Sequence, residues 1–277
     1  MKKIAFIGGD LRMLFAARAF AAHGFCVTAL GFDLAPAEFC DIEKAEGAAA
    51  LAGVDFAVLA PPVSRDGENI YAPFSAARIP LRGLDFGGAA VFSGGACPQI
   101  AAEMRSYAAR EAFAVRNAVL TAEGALKLAM EATGRSICGM RACVLGFGRI
   151  GAALARDLRA LGAEVDVFAR RSESRALAWG LGARAYPFDA LGANIGSYGC
   201  IFNTVPQRVA GESELRAISA GAPFIELASA PGGAEPALAR SLGVNYIHAG
   251  GLPGKIMPAS AGEIVYETVK EMMEETI

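Results

Sequence analysis

The sequence predicts an α/β protein built from two doubly wound parallel-sheet domains joined by a long helix, with a cleft between them. Three observations carry this expectation. Short apolar runs alternate with helical patterns along all 277 residues, the signature of parallel strands with crossover helices. The length suits two domains of ordinary size. One alternation, "VLGFGRIGAALARDLRALGAE" from Val144 to Glu164, carries the glycine spacing of a dinucleotide-binding turn.

The amino-terminal unit offers strands at "IAFIGG" (4–9), "CVTALGF" (26–32), "DFAVLAP" (55–61) and "AAVFSGG" (89–95). A helix "PQIAAEMRSYAAR" (98–110) and a further strand "AFAV" (112–115) complete it. "NAVLTAEGALKLAMEATG" (117–134) then places Leu120, Ala125, Leu128, Ala129 and Ala132 at helical period, with Thr121 and Glu123 near its start; it reads as the connecting helix. The second unit offers strands at "RACVLGFG" (141–148), "EVDVFA" (164–169), "ARAY" (183–186), "CIFNTVP" (200–206), "PFIELAS" (223–229) and "VNYIHAGG" (244–251). The expected domains are 1–117 for the substrate and 118–258 for a dinucleotide, the latter including the connecting helix. A last helix, 259–277, is expected to pack back on the first. Ligands of such sheets sit at the carboxyl ends of strands, which places the substrate in the interdomain cleft.

Composition narrows the function. Hydrophobic residues make up 54% and charged residues 19%, enough for a large core and too apolar for disorder. The 26 basic and 28 acidic residues leave a net charge of −2 with no basic cluster, which argues against nucleic-acid binding. No apolar run is long enough to span a membrane, and "MKKIAFIGGD" reads as a strand and turn rather than a signal peptide. The six cysteines form no C-x-x-C and have no histidines at metal spacing, so they are expected to be mostly buried small hydrophobes of a reducing, cytoplasmic compartment, with no metal site.

Gly146-Phe-Gly148-Arg149-Ile150-Gly151 follows an apolar strand and opens a helix with Leu154, Leu158 and Leu161 on one face, the full context of a Rossmann fingerprint. Gly146 allows the tight turn, Gly148 lets backbone approach a pyrophosphate, and Gly151 lets helix and strand pack closely. The free N–H groups of the helix start, at Arg149 and Ile150, suit phosphates. The ribose acid of such sites belongs at the end of the next strand. Asp166 lies at the right count but in mid-strand. At the strand end stand Ala169, Arg170, Arg171 and Ser172 instead. Two cations and a hydroxyl fit a 2′-phosphate, each charge-assisted bond being worth roughly 1.5–3 kcal/mol; the expected cofactor is NADP. Thr204, Val205 and Pro206, with Ala228 and Ser229, are expected to line its ribose and nicotinamide side. At the other end of the chain, "IGGDLR" lacks the third glycine in register, and Asp10 would repel a pyrophosphate. That turn is assigned to the substrate edge, with Arg12 either a carboxylate ligand or a residue that only caps its helix.

These segments together resemble a known family. "IAFIGGDLR", "VFSGG", "NAVLTAEGALKLAM", "IFNTVP", "LASAPGG" and "GLPGKIMPASAGEI", spread from residue 4 to 264, are similar to those of the family of dipicolinate synthase A subunits, whose architecture resembles D-2-hydroxyacid dehydrogenases. The pairing of "GGDLR" with "GLPGKIMPASAG" is the specific part. The resemblance implies NADP-dependent oxidation of a dihydrodipicolinate-type intermediate to dipicolinate (pyridine-2,6-dicarboxylate). It also implies partnership with the flavoprotein-like dipicolinate synthase B subunit, in the mother-cell cytoplasm of a spore-forming bacterium; a homo-oligomer stays open. Forming an aromatic ring is downhill, so the protein has mainly to grip two carboxylates and position the ring. Candidates for that grip are Arg12, Ser64, Ser93 with Gly94 and Gly95, Thr121 of the connecting helix, and the backbone N–H groups near Gly254 and Ser260. Glu123, beside Thr121, is the candidate proton acceptor, against a role of merely stabilising its helix start. Two alternatives stand beside this reading. One is an NADP-dependent 2-hydroxyacid dehydrogenase using His248, although no arginine follows the fifth strand in "ELASAPGG" and no paired acid precedes His248. The other is a non-catalytic NADP-binding subunit supporting a partner enzyme.

Overall fold

The structure, a computed structural model, describes residues 1–45, 47, 51–100 and 102–275. Ala101, inside the helix expected at 98–110, and residues 276–277 of the last expected helix lie outside the described residues. The chain divides into two compact units, Met1–Asn117 with Pro253–Ile277, and Ala118–Leu252. Residues 253–258, grouped with the second unit from the sequence, thus belong to the first.

The first unit runs β1 (Lys3–Ile7), α1 (Leu11–Ala22), β2 (Cys26–Leu30), β3 (Glu43–Ala45), β4 (Phe56–Leu59), β5 (Ala90–Ser93) and β6 (Met104–Ser106). Among the described residues these strands form one parallel sheet in the order β3-β2-β1-β4-β5-β6. α2 (Glu111–Thr133) carries the chain into the second unit. There follow β7 (Arg141–Leu145), α3 (Arg149–Ala160), β8 (Glu164–Phe168), α4 (Ser172–Gly180), β9 (Arg184–Tyr186), α5 (Leu191–Asn194), β10 (Cys200–Asn203), α6 (Glu212–Ala217), β11 (Pro223–Glu226), α7 (Pro236–Ser241) and β12 (Asn245–His248). The second sheet is parallel in the order β12-β11-β10-β7-β8-β9. α8 (Leu252–Ile256) and α9 (Pro258–Glu274) close the chain.

Both sheets have the Rossmann order, so each unit has a switch point where successive crossovers diverge: between β1 and β4 in the first, between β7 and β10 in the second. Central strands are buried on both faces, as parallel sheets require; every residue of β4, β10 and β11 is buried. α3 shows how a crossover helix is written. Leu154 and Leu158 are buried one turn apart, alanines fill the rest of that face, and Arg156 and Arg159 face water.

Two expectations fail. Residues 98–110 are not a helix: Met104–Ser106 form β6 beside β5, with Val91 opposite Met104, and Tyr107–Ala109 make a 3₁₀ turn. Nor is 112–115 a strand; it belongs to the first turns of α2, which begins at Glu111 rather than 117. A short apolar run carries no period of its own, and the free edge of β5 outweighed local helix preference. β3 escaped notice because "EKA" reads as polar, as a charged edge strand does. The cysteines are less uniformly interior than expected. Cys97, Cys143 and Cys200 are buried, whereas Cys40 and Cys138 are exposed.

Candidate functional site

In the second unit the glycine turn sits at the switch point. Gly146 follows β7 at φ +94°, and a side-chain carbon there would lie 2.5 Å from Thr204 Oγ1. One at Gly151 would overlap the Gly146 carbonyl oxygen. Gly148, the N-cap of α3, faces open space, with nothing within 4 Å of where its side chain would start. Two glycines thus knit the turn together and the third leaves it open, as a bound pyrophosphate demands. Across the turn, Thr204 donates its hydroxyl to the Leu145 carbonyl (2.8 Å), holding the ends of β7 and β10 together.

A cavity of about 240 Å³ opens from this turn. It is lined by Gly146 and Gly148, by Ala169, Arg170 and Arg171, and by Thr204, Val205 and Pro206. The fold therefore brings these expected cofactor residues together. Arg149, Ile150 and Gly151 stand in the first turn of α3 and Ser172 begins α4. Arg170 and Arg171 are exposed, and neither side chain has a partner among the described residues. A third arginine is structural. Arg175 Nη1 donates to the carbonyls of Ala169 (3.0 Å) and Arg170 (2.8 Å), setting the strand end. Ser174, Phe188 and Gln207 also line the cavity. Ser174 belongs to the same "RRSES" stretch and is legible from it, whereas Phe188 comes from a separate 3₁₀ turn that no local pattern connects to the site.

Asp166 is engaged elsewhere. It is 1% exposed and accepts hydrogen bonds from Arg184 Nε (2.6 Å) and Tyr198 OH (2.7 Å), with Arg141 Nη2 at 3.6 Å. Burial, and then this bond, hold the Tyr198 phenol well above its usual range.

The loop after β11 is tied to the loop after β10. The Glu226 carboxylate, 2% exposed, accepts from Asn203 Nδ2 (2.6 Å), Ala228 N (3.0 Å), Gly233 N (2.7 Å) and, at 3.5 Å, Tyr246 OH. Asn203 in turn accepts from Val205 N (3.1 Å) and donates to its carbonyl (2.9 Å). Burial, helped by the Glu226 charge, pushes the Tyr246 phenol up to about 12. Ala228 is buried and Ser229 exposed. His248, the register partner of Glu226 on β12, is exposed and has no carboxylate hydrogen-bonded to it among the described residues.

In the first unit the turn after β1 is closed. Gly9 N donates to the Tyr71 carbonyl (2.6 Å), and a side chain on Gly8 would strike Ile70. Asp10 caps α1, accepting from Arg12 N (3.3 Å). It also takes the Arg12 guanidinium in two bonds, Nε to Oδ1 (2.7 Å) and Nη2 to Oδ2 (2.8 Å). Gly254 backs onto this pair, so closely that a side-chain carbon there would overlap Arg12 Nη2. "GGDLR" and "GLPGK" therefore meet in space. Gly9 packs on Ala60, and Gly94, following the buried Ser93, on Ala60-Pro61. Ser64 lies in a turn, donating to Asp66 (3.1 Å) and accepting from Gly67 N (3.0 Å). Ser260 is exposed in the first turn of α9; among the described residues no contact ties Ser64 or Ser260 to Arg12.

On α2, Thr121 is buried and Glu123 exposed, and both stand mid-helix rather than near its start. Glu123 therefore cannot act on the helix terminus, whose effect fades within one turn. Its charge reaches Arg156 on α3, which is held above its usual range chiefly by its bond to Asp157. Among the described residues no group of three or more His, Cys, Asp or Glu could hold a metal ion, and no helix is long and apolar enough to cross a membrane.

Comparison with known proteins shows what the chain as a whole is similar to. Residues 3–110 match the N-terminal domain of the dipicolinate synthase A subunit, and residues 105–252 the NAD binding domain of D-isomer specific 2-hydroxyacid dehydrogenases. The chain is 30% identical to the dipicolinate synthase A subunit of Bacillus subtilis over 99% of its own length and 96% of the relative's. The crystal structure of the dipicolinate synthase A subunit from Bacillus halodurans superposes with a TM-score of 0.85 at 27% identity, covering 98% of this chain and 97% of that one. The crystal structure of the Bacillus subtilis protein gives 0.84 at 27% identity, covering 99% and 96%.

Proposed function

The chain belongs to the family of dipicolinate synthase A subunits and carries a dehydrogenase-type nicotinamide-nucleotide domain, and from that premise we propose that it oxidises a dihydrodipicolinate-type substrate to dipicolinate with NADP⁺. The observation that carries the proposal is the acid-free end of β8. There Arg170 and Arg171, unpaired among the described residues, flank a glycine turn whose middle residue faces open space. The matched domain is described by its NAD binding; an acid at the strand end is what would favour that cofactor, and here the acid, Asp166, is bound up with Arg184 and Tyr198.

When bound, NADP⁺ supplies the hydride acceptor. The protein's own part is binding, orientation and proton handling. The amides at the start of α3 meet the pyrophosphate, Arg170 and Arg171 the 2′-phosphate, and Thr204–Pro206 with Ala228–Ser229 the ribose and nicotinamide side. In the first unit Arg12, held by Asp10 through Nε and Nη2, keeps its Nη1 donors for a substrate carboxylate. Gly254, Ser93, Gly94, Ser64 and Ser260 are further candidates for the two carboxylates. In the second unit Glu123, beside Thr121, is the candidate proton acceptor. Partnership with a B subunit, in the mother-cell cytoplasm, belongs to the same proposal.

The test is to supply enzymatically generated dihydrodipicolinate to the purified chain and follow dipicolinate absorbance with NADP⁺ or NAD⁺. Product with NADP⁺ in preference to NAD⁺ is expected. Product only when a B subunit is present would assign this chain a supporting role, and turnover of glyoxylate or hydroxypyruvate with NADPH would replace the substrate.

A further inference from the structure

We infer that Glu226 is a positioning residue for the cofactor's nicotinamide half, acting from inside the second unit while Arg208 clasps the same loop from outside. The inference rests on the cofactor reading above and adds to it the device that shapes the site's far wall.

The geometry is that of a saturated acceptor. Oε1 takes Asn203 Nδ2 and Ala228 N, and Oε2 takes Gly233 N and Tyr246 OH. One carboxylate at the end of β11 therefore governs both loops that leave the carboxyl edge of the sheet beside the switch point. Through Asn203 it sets Val205, whose backbone N–H and carbonyl both bond the amide side chain. Through Ala228 and Gly233 it folds the "LASAPGG" loop back over itself. The two glycines are shaped for this closure. A side-chain carbon on Gly232 would lie 2.8 Å from Glu226 Oε2, and one on Gly233 would overlap the Asn203 amide. Outside, Arg208 Nη1 donates to the carbonyls of Pro231, Gly232 (3.1 Å) and Ala234, and Nη2 bonds Glu235 (2.5 Å).

A buried carboxylate is an expensive way to brace a loop, since well-packed apolar residues do it at lower desolvation cost. What it adds is definition: four donors converge on two atoms, so each loop has a single position. That position matters at the edge where ligands of parallel sheets bind. Glutamine is a poor replacement. Turned one way, its NH₂ group meets the Asn203 amide and the Ala228 N–H; turned the other way it meets the Gly233 N–H, and only the Tyr246 hydroxyl can reverse to accept from it.

The test uses the full chain and two ligands. Adenosine 2′,5′-bisphosphate reaches only the Arg170 end of the cavity, whereas NADPH also spans the loops. Glu226→Gln is expected to weaken NADPH binding about tenfold or more, as loss of a charged hydrogen-bond acceptor implies, and to leave the bisphosphate unchanged; Glu226→Asp should recover part of the loss. Arg208→Ala, whose side chain is partly exposed, should shift NADPH affinity in the same direction and covers the case in which the Gln variant does not fold. Unchanged NADPH affinity in either folded variant, or equal losses for both ligands, would overturn the inference. A wild-type chain that binds neither ligand would instead overturn the cofactor reading, and this inference with it.

Discussion

Asp166 and Arg170 lie on one short stretch of chain and have opposite fates. The acid points into the interior, where Arg184, Tyr198 and Arg141 surround it; the cation follows the strand end into an open cavity without a partner among the described residues. Counting from the glycines selects Asp166, and strand direction selects Arg170. Replacing Arg170 by alanine should therefore lower the NADP-to-NAD affinity ratio by about 10- to 100-fold, the value of one charge-assisted phosphate contact, with NAD binding little altered. Titration of both cofactors against both proteins checks this, and an unchanged ratio would make these arginines a solvated loop. Arg12 shows the limit of reading residues singly. Its type fitted either a cap or a carboxylate ligand. Its grip by Asp10 is local, but that the pair is backed by Gly254 depends on a segment some 240 residues further along the chain.

At the scale of elements, the strand–turn–helix from β7 to α3 was legible because each position answers to a local rule. The rule also separates its glycines by experiment. Gly151→Ala drives a methyl into the Gly146 carbonyl and should destabilise the second unit by about 1–3 kcal/mol, the usual cost of overpacking. Gly148→Ala meets open space and should change stability by no more than about 1 kcal/mol, the N-cap difference, while sharply reducing dinucleotide binding. Thermal unfolding and cofactor titration on the two variants distinguish these outcomes; equal stability loss would contradict the geometry. The failures at 98–115 have the opposite cause. "AFAV" has no period to read, and β6 exists because β5 offers an unpaired edge. The mistaken start of α2 carried a further error: it placed Glu123 near a helix terminus when it stands mid-helix.

At the scale of the whole molecule, the chain returns to its first unit. α9 lies along α1, and Gly262 permits close approach, since a side chain there would meet the Arg12 carbonyl and Phe15. Val265, Val269, Met272 and Met273 enter the same core as Phe6 and Phe20. Each such side chain is worth about 1.5–3 kcal/mol, so together they rival the ~5–15 kcal/mol that stabilises a typical domain. Ending the chain before Pro258 should unfold the first unit while the second keeps its structure. Limited proteolysis with mapping of the fragments would check this; a protected first unit would be the contrary result.

The sequence by itself determined the alternation of apolar strands and amphipathic helices, the glycine turn, and the absence of an acid at the end of β8. All three depend on neighbours within a few residues, where backbone geometry and side-chain period act directly. Only the tertiary structure decided which charges are already paired and which remain for a ligand: Asp10 with Arg12 behind Gly254, Asp166 with Arg184 and Tyr198, Glu226 with Asn203 and the Gly233 amide. Asp166 with Arg184 and Glu226 with Asn203 are register partners on neighbouring strands, and a parallel sheet places side by side residues that its sequence keeps apart; Asp10 and Arg12 are near neighbours in the chain, and it is Gly254 behind them that comes from its far end.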